Sequence, residues 1–525
     1  MELILQISDQ AALAIAIERQ VGGVAIALPR QPASEFWVEL KDWRSMARQQ
    51  GIKFYLVLDW LARQAELPGL IDMLAAAAAL DPDGLQLRDP GLVREARRLY
   101  PNLSLQAAGN FGVHNSPGLR LAAALGFTRV GVEGPISLKD LALMRRQAPM
   151  PLTVSLTPSC RCYASLCLME EYLGVSCEAC SQCLSEVTPE ALMASLETFS
   201  GLCQLGVEAV QIKAGNFPVT FLARVIGLYQ AVQGAAPMER PGVLAAARQV
   251  LAAFEEQLRI PQPAPRAVPG PPVYPLPLSQ RSALPSSRSE FFGPGRIWLE
   301  ARDYAETIAL APEWREPLVL ALTPENYAAF LQDHRQWGPR RLIWRLPPAL
   351  PESALAFYQK ALETLRQGEY NRFLAGDWGA VALVDGAGCQ VYGDQTLGVR
   401  NSWALQAARD LKVNRVCLPP GHRPEHWQDL LEAAPSGSFW SYLYHCATLA
   451  VCPPDAAALT PSENLRWFSE HGKALLCLKA PQHLRDLDAW FKSRTIFPLV
   501  VALLHSPRPR GQIPAWLAPR PQGRR

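Results

Sequence analysis

Six of the twelve cysteines in this 525-residue chain fall between Cys160 and Cys183, inside the run SLTPSCRCYASLCLMEEYLGVSCEACSQCLSEVTP from Ser155 to Pro189. A thiol that serves packing alone behaves as a small hydrophobe and has no reason to recur at ligand spacing. Cys177, Cys180 and Cys183 form two successive CxxC steps, which a tight local loop can turn toward one centre. Ferredoxin-type loops use that spacing for a four-iron, four-sulfur (4Fe-4S) cluster and take a fourth cysteine from nearby or from a remote segment. Val187 stands at the position three intervening residues beyond Cys183 where a ferredoxin run carries its next cysteine, so the fourth thiolate comes from elsewhere, with Cys160 and Cys167 the obvious donors. Zinc is the second reading, although structural zinc normally takes two separated Cys or His pairs, and His114 upstream has no companion. Disulfides or unligated thiols are the third.

Whatever the group, the chain has to position it. The length exceeds the roughly 250–300 residues at which a single core stops growing, so two domains are expected. With 49% hydrophobic and 19% charged residues there is ample core, and a net charge of +3 gives no global pull on nucleic acid. The N-terminal MELILQISDQAALAIAIERQ reads as a strand entering a helix rather than as a leader. No stretch approaches the roughly 18 apolar residues of a membrane span. The expectation is a soluble, cytoplasmic protein, a reducing setting in which clustered cysteines favour metal or redox chemistry.

Short apolar runs alternate with helical patterns throughout the first half. Strands are predicted at Leu3–Ile7, Gly23–Leu28, Lys53–Leu58, Gly84–Leu87, Ser104–Ala107, Thr128–Val132, Leu152–Leu156 and Ala209–Ile212. Such alternation predicts a TIM-barrel-like (β/α)8 domain over residues 1–240, with the cysteine stretch beginning at the C-terminal end of the seventh strand, the face where such barrels keep their chemistry. Ser137 to Asp140 reads as a capping box opening the helix after the sixth strand. Residues 241–290 read as a helix followed by a Pro-rich linker, a possible docking segment for a protein partner. The tail 506–525 is arginine-rich, free of acids and expected to be disordered; Trp516 in it could stack on RNA.

Between them, residues 291–505 resume the alternation as a second, related α/β domain, with strands predicted at Leu318–Leu322, Leu342–Leu346, Ala380–Leu383, Arg415–Leu418, Phe439–Leu443, Ala474–Leu478 and Leu499–Leu504. Gly112-Val113-His114-Asn115-Ser116, followed by Leu119, Ala122, Leu125, Arg129 and Val130, recurs 286 positions later as Gly398-Val399-Arg400-Asn401-Ser402, followed by Leu405, Ala408, Leu411, Arg415 and Val416. The two halves therefore share one βα plan. Each Asn-Ser pair is expected to cap a helix at a strand exit, or to line the mouth of its barrel. Cys389, Cys417, Cys446, Cys452 and Cys477 are scattered and read as core, with His445-Cys446 the pair that merits inspection.

The first domain resembles peptidase family U32, the collagenase-like family. The resemblance rests on Arg88-Asp89-Pro90-Gly91-Leu92-Val93, on Gly112 to Ser116, on the strand-seven cysteines and on Gly206 to Ile212 with its following helix. The family's cysteines are separated by six, fifteen and three residues; Cys160, Cys167 and Cys183 keep the first two intervals, and Val187 breaks the last. The resemblance thus implies cluster ligands Cys160, Cys167, Cys180 and Cys183, with Cys177 in reserve. It also implies iron-sulfur-dependent, oxygen-independent hydroxylation of an RNA base or a quinone precursor, with prephenate as oxygen donor and an electron donor unspecified. Leu156, Thr157 and Pro158 replace the family's His-Gly before the first cysteine, Ile212-Lys213-Ala214-Gly215 replaces Ile-Glu-Gly-Arg, and Gly134-Pro135 replaces an Arg-Glu pair. These departures fall on substrate binding more than on the cluster. Two rivals stand beside this reading: a peptidase, for which no HExxH, nucleophile elbow or CGSCW-like motif is present, and a non-catalytic scaffold stapled by its metal.

Overall fold

The computed structural model describes residues 1–132, 135–148, 150–156, 162–168, 188–254, 297–310, 314–333, 337–384, 386, 388–419, 424–446, 448–452, 465–470, 473–478, 482–483, 496 and 499–502. Cys160, Cys177, Cys180 and Cys183, most of the Pro-rich linker and the arginine-rich tail lie outside them.

Strands and helices alternate in the first half as β1 (Glu2–Ile7), α1 (Gln10–Glu18), β2 (Gly23–Ala27), α2 (Ser34–Gln49), β3 (Lys53–Leu58), α3 (Leu67–Ala79), β4 (Gly84–Leu87), α4 (Pro90–Leu99), β5 (Leu105–Ala107), α5 (Ser116–Ala124), β6 (Arg129–Val132), α6 (Leu138–Gln147), β7 (Leu152–Leu156), α7 (Pro189–Leu205), β8 (Ala209–Lys213) and α8 (Val219–Gly234). The eight strands are parallel and close into a barrel through β8 pairing with β1. Helix starts follow the local chemistry: Asp9 accepts from Ala12 N, Asp89 from Gly91 N and Leu92 N, and Ser137 from Asp140 N, each satisfying free amides of a first turn. A further helix, α9 (Arg240–Ala252), packs on α7 and α8 and buries Ala247 and Leu251.

Polar residues run through the interior of this barrel. Gln86 Nε2 donates to Gln211 Oε1 at 3.1 Å, and Gln211 Nε2 to Gln6 Oε1 at 3.0 Å. The N-terminal end is plugged by Glu2, which accepts from Tyr55 Oη at 2.7 Å and from Arg129 at 3.2 Å. Access is left to the C-terminal face.

The second half runs β9 (Ile297–Glu300), α10 (Tyr304–Leu310), β10 (Leu318–Ala321), α11 (Pro324–Asp333), β11 (Leu342–Arg345), α12 (Leu355–Gln367), β12 (Arg372–Ala375), α13 (Trp378–Val384), β13 (Gln390–Gly393), α14 (Ser402–Asp410), β14 (Val413–Cys417), α15 (Pro424–Ala433), β15 (Phe439–His445), β16 (Thr448–Cys452), β17 (Leu465–Glu470), β18 (Lys473–Leu478), β19 (Gln482–His483) and β20 (Leu499–Ala502). Strands β9 to β15 with β20 form a parallel sheet whose ring is closed by β14 pairing with β15 and β20 pairing with β9. A second barrel results, filled by Trp298, Ile343, Tyr392, Trp440 and their neighbours. After its seventh strand, β16, β18 and β17 form a separate antiparallel sheet, at the place where the first barrel carries its cysteine stretch.

One expected strand is overturned. Ala380–Leu383 is helical within α13, because Asp377 Oδ1 accepts from Ala380 N at 2.8 Å and starts a helix there. Its sequence is apolar on all sides because α13 is sandwiched between its own barrel and α5 of the other. The neighbouring strands β12 and β13, unmarked by long apolar runs, supply the missing rungs. Among the described residues no helix is long and apolar enough to cross a membrane.

The barrels meet reciprocally: α4 packs on α14, and α5 on α13. Asn401 caps α14 through Ala404 N at 2.7 Å while its amide donates to Asp89 Oδ2 at 2.8 Å and Ala62 O at 2.9 Å in the other barrel. Asn115 caps α5 through Gly118 N at 3.0 Å while its amide donates to Leu350 O at 3.0 Å. Ser116 N donates to Glu352, and Ser402 N to Gln64. The repeated Asn-Ser pair is thus both a cap and half of a clasp, and exchange of equivalent contacts is the mark of an approximate two-fold axis.

Candidate active site

The repeat places the C-terminal mouths of the two barrels side by side, and the segment 162–168, just beyond β7, is gripped between them. Tyr163 N donates to Val451 O at 2.8 Å, extending the contact from β16. Lys473 Nζ, at the start of β18, donates to Tyr163 Oη at 2.8 Å and lies 4.4 Å from the centre of its ring. From the first barrel, His114 meets Tyr163 edge-on at 5.2 Å, its Nε2 is 3.3 Å from Ser165 Oγ, and Arg88 Nη2 reaches Ser165 O at 3.5 Å. Tyr163 and Leu166 join Ala349, Val451, Leu475 and Cys477 in one apolar cluster. A loop that would otherwise be free at the barrel mouth is anchored by both halves of the chain.

Of the predicted ligands, Cys167 lies in this segment, half-buried at the barrel mouth just past the turn Ala164–Leu166; Cys162 is buried beside Tyr163. Cys160, Cys177, Cys180 and Cys183 fall outside the described residues. Among those described, no group of three or more His, Cys, Asp or Glu side chains is arranged to hold a metal ion. The donor set nonetheless suits one: soft thiolates on a stretch entered from an anchored, largely buried turn match iron-sulfur or zinc coordination.

Electrostatics around the segment are set by burial. His114 is pushed down to about 3, first by desolvation and then by the charge of Lys473, so it is neutral at physiological pH. Burial lowers Lys473 to about 8, against the pull of Asp140 and Asp377. Asp377 is raised to about 6 by its own burial, opposed by the amides of Ala380, Ala349 and Gly379 and by Lys473. The Ser165–His114 contact has the outline of a nucleophile and base. A fully buried imidazole that protonates only near pH 3 is a poor base, and no carboxylate among its described contacts orients its other nitrogen, so the pair reads as a structural anchor.

Sequence reasoning singled out the cysteines and anticipated the Asn-Ser caps but missed Tyr163 and Lys473. Their one signal is a lysine opening an otherwise apolar strand, Lys473-Ala-Leu-Leu-Cys-Leu, a position where a charge is expensive unless paired. Cys417, Cys452 and Cys477 are buried as the core reading expects; His445 and Cys446 line a cavity at the mouth of the second barrel.

Residues 10–255 match the model of Peptidase family U32. The tRNA hydroxylation protein P of Haemophilus influenzae is 27% identical over 130 residues, 24% of this chain and 28% of that protein. The tRNA hydroxylation protein P1 of Bacillus subtilis is 19% identical over 240 residues, 40% of this chain and 57% of that protein. A solved U32 peptidase shares 15% identity over 41% of this chain and 92% of its own, with a TM-score of 0.27. The chain spans less than two thirds of the length of these curated relatives, and the family match ends before β9.

Proposed function

We propose, for a chain whose first barrel belongs to peptidase family U32, that it acts in tRNA base modification as an iron-sulfur-dependent, oxygen-independent hydroxylation protein. Cys160, Cys167, Cys180 and Cys183 would hold the cluster, with Cys177 in reserve. The observation that carries the reading is the anchoring of the Cys167 segment at the C-terminal mouth, where barrels of this type keep their chemistry. The likeness of part of the first barrel to tRNA hydroxylation proteins supports the substrate class.

When bound, such a cluster supplies electron transfer or an open iron for a substrate. The protein's own residues prepare the place for it. Tyr163, Ser165 and Leu166 hold the segment against Lys473, Val451 and His114, which fixes the loop and keeps water from its inner side. Below about pH 8 Lys473 carries a positive charge within this wall. His114, neutral, takes up the Ser165 hydroxyl and moves no proton at neutral pH.

Iron and sulfide are to be measured on protein purified without oxygen, alongside single Cys→Ala variants of the five cysteines, with mass spectrometry of tRNA nucleosides from a deletion strain. About four irons per chain, falling in the Cys167→Ala and Cys183→Ala proteins, together with a hydroxylated nucleoside missing from the strain, is the expected result. Unchanged iron in every variant, colourless protein carrying zinc, or saturable metal-dependent cleavage of a fluorogenic peptide would overturn it.

A further inference from the structure

Between α2 and α3, at the mouth end of the first barrel's outer ring, lies a groove that no part of the proposed chemistry uses. It is walled by the loops leaving β2 and β3 and measures about 490 Å³, inside the range of roughly 300–1,000 Å³ in which proteins seat ligands. Trp37 lines it from α2 and Trp60 from the exit of β3, and Pro32, Leu70 and Met73 complete its apolar surface. Trp60 is fixed in place: its indole N–H donates to Leu28 O at 2.9 Å, and the Arg30 guanidinium lies 4.7 Å from its ring centre. Arg30 in turn donates to both oxygens of Glu66 at 3.0 and 3.1 Å, so that pair is neutral. Asp72, exposed on α3 and also lining the groove, makes no hydrogen bond or ion pair among the described residues. Nor does the indole N–H of Trp37. The groove therefore offers two aromatic walls, a spare donor and an uncompensated carboxylate.

That combination suits a proline-rich strand carrying a basic residue. A polyproline II helix has three residues per turn and no internal hydrogen bonds, so its prolines lie flat on aromatic rings and its carbonyls take outside donors. The chain contains such a sequence in its Pro-rich linker: Arg266-Ala-Val-Pro269-Gly-Pro-Pro272-Val-Tyr-Pro275. Steps of three would align Arg266, Pro269, Pro272 and Pro275 along one edge of that helix. The arginine-rich tail 506–525 has no prolines at that spacing. Charge matches as well, one guanidinium for one unpaired carboxylate.

The linker also starts close enough. Phe254, the last described residue before it, packs on Phe221 at 5.5 Å and under Arg224 at 4.0 Å, in the first turns of α8 and hence at the mouth end of the ring. Helices α8, α1 and α2 are successive neighbours around the barrel, so the groove beyond α2 lies about two and a half helix spacings away, roughly 25 Å. The steps from Phe254 to Arg266 span up to about 40 Å when extended, and those from Pro275 to Ile297 about 70 Å, enough to reach the groove and return to β9.

We infer that the groove between α2 and α3 is the docking site of the chain's own segment 266–275, with its prolines on Trp37 and Trp60 and Arg266 paired with Asp72. The iron-sulfur reading plays no part in this.

Photo-cross-linking of the full chain tests it, with Tyr274→p-benzoylphenylalanine as the probe and mass spectrometry as the readout. A cross-link within one chain to Met73, whose thioether reacts readily with such a ketone, is expected. In parallel, a labelled peptide of residues 263–278 is titrated against full-length protein carrying Pro269→Ala, Pro272→Ala and Pro275→Ala, in which the groove is open to it. Saturable binding is expected, weakened about fivefold by Asp72→Lys, the reach of one exposed ion pair, and regained with an Arg266→Asp peptide. Wild-type protein should bind the peptide at least about tenfold more weakly, because its tethered segment competes at an effective concentration in the mM range. Cross-links that avoid the groove overturn the docking, as does equal peptide affinity in wild-type and triple-variant protein, or an Asp72→Lys protein with wild-type melting and undiminished affinity. A cross-link joining two chains overturns the assignment to the chain's own segment.

Discussion

Replacing Gly91 with alanine reverses the usual sign of a helix substitution. Gly→Ala inside a helix ordinarily stabilises by up to about 1 kcal/mol. At Gly91, in the first turn of α4, a β-carbon would sit 2.3 Å from Ala404 N, 2.4 Å from Trp403 C and 2.6 Å from Trp403 Cβ. Two of those atoms are main chain of α14 and cannot rotate away, so the helices must separate by about 1 Å to regain van der Waals distance. Overpacking of this kind costs about 1–3 kcal/mol. The same retreat stretches the 2.8 Å bond from Asn401 to the buried Asp89, and a hydrogen bond to a charged group contributes about 1.5–3 kcal/mol. After the helix gain, a net loss of about 2–5 kcal/mol remains. Gly69→Ala is the internal control, since Gly69 lies in α3 with nothing within 4 Å of the added carbon; it should be neutral or stabilising. Urea unfolding followed by far-ultraviolet circular dichroism reads both proteins. A Gly91→Ala protein that unfolds at or above the wild-type midpoint would refute the close apposition of α4 and α14.

Two further outcomes follow from the buried groups. Lys473→Met removes the 2.8 Å bond to Tyr163, so alkylation of the buried Cys162, mapped by mass spectrometry, should accelerate by about tenfold for each 1.4 kcal/mol of opening free energy lost; an unchanged rate would show that the bond does not anchor the segment. His445 is held near 3 by burial, below its ordinary 6.5. Between these values the unfolded chain binds the proton and the folded one does not, so this histidine's contribution to stability is present above pH 6.5 and is lost as pH falls. From pH 6 to 4, His445→Phe should therefore lose less stability than wild type, by up to about 1.4 kcal/mol per pH unit, and parallel curves would refute a buried neutral imidazole.

The sequence was most legible where a pattern is local. The first barrel's strands were readable because β1 to β8 are short apolar runs separated by capped amphipathic helices, and Ser137, Asn115 and Asn401 announce helix starts whose hydrogen bonds span three residues. The second barrel was read less well. Ala380–Leu383 was mistaken for a strand because helices buried on every side lose the 3.6-residue periodicity that marks them, and β9, β12 and β13 are four-residue strands that end in or begin with polar groups.

By itself the sequence determined that two related α/β halves exist, where their helices begin, and that a run of thiols starts at the exit of the seventh strand; each follows from residue type and spacing along one segment. Only the tertiary structure decided that the second half also closes into a ring, that Asn115 and Asn401 reach across to the opposite barrel, and that Lys473 meets Tyr163 from 310 positions away. The same holds for Glu300, Arg345, Asp394 and Tyr442, unremarkable one by one in the sequence and brought together by the closure of β9, β11, β13 and β15 into one ring. The physical reason is common to all of them: hydrogen bonds and ion pairs between distant segments depend on side chains that only packing brings within about 3 Å, and no periodicity along the chain encodes such a meeting.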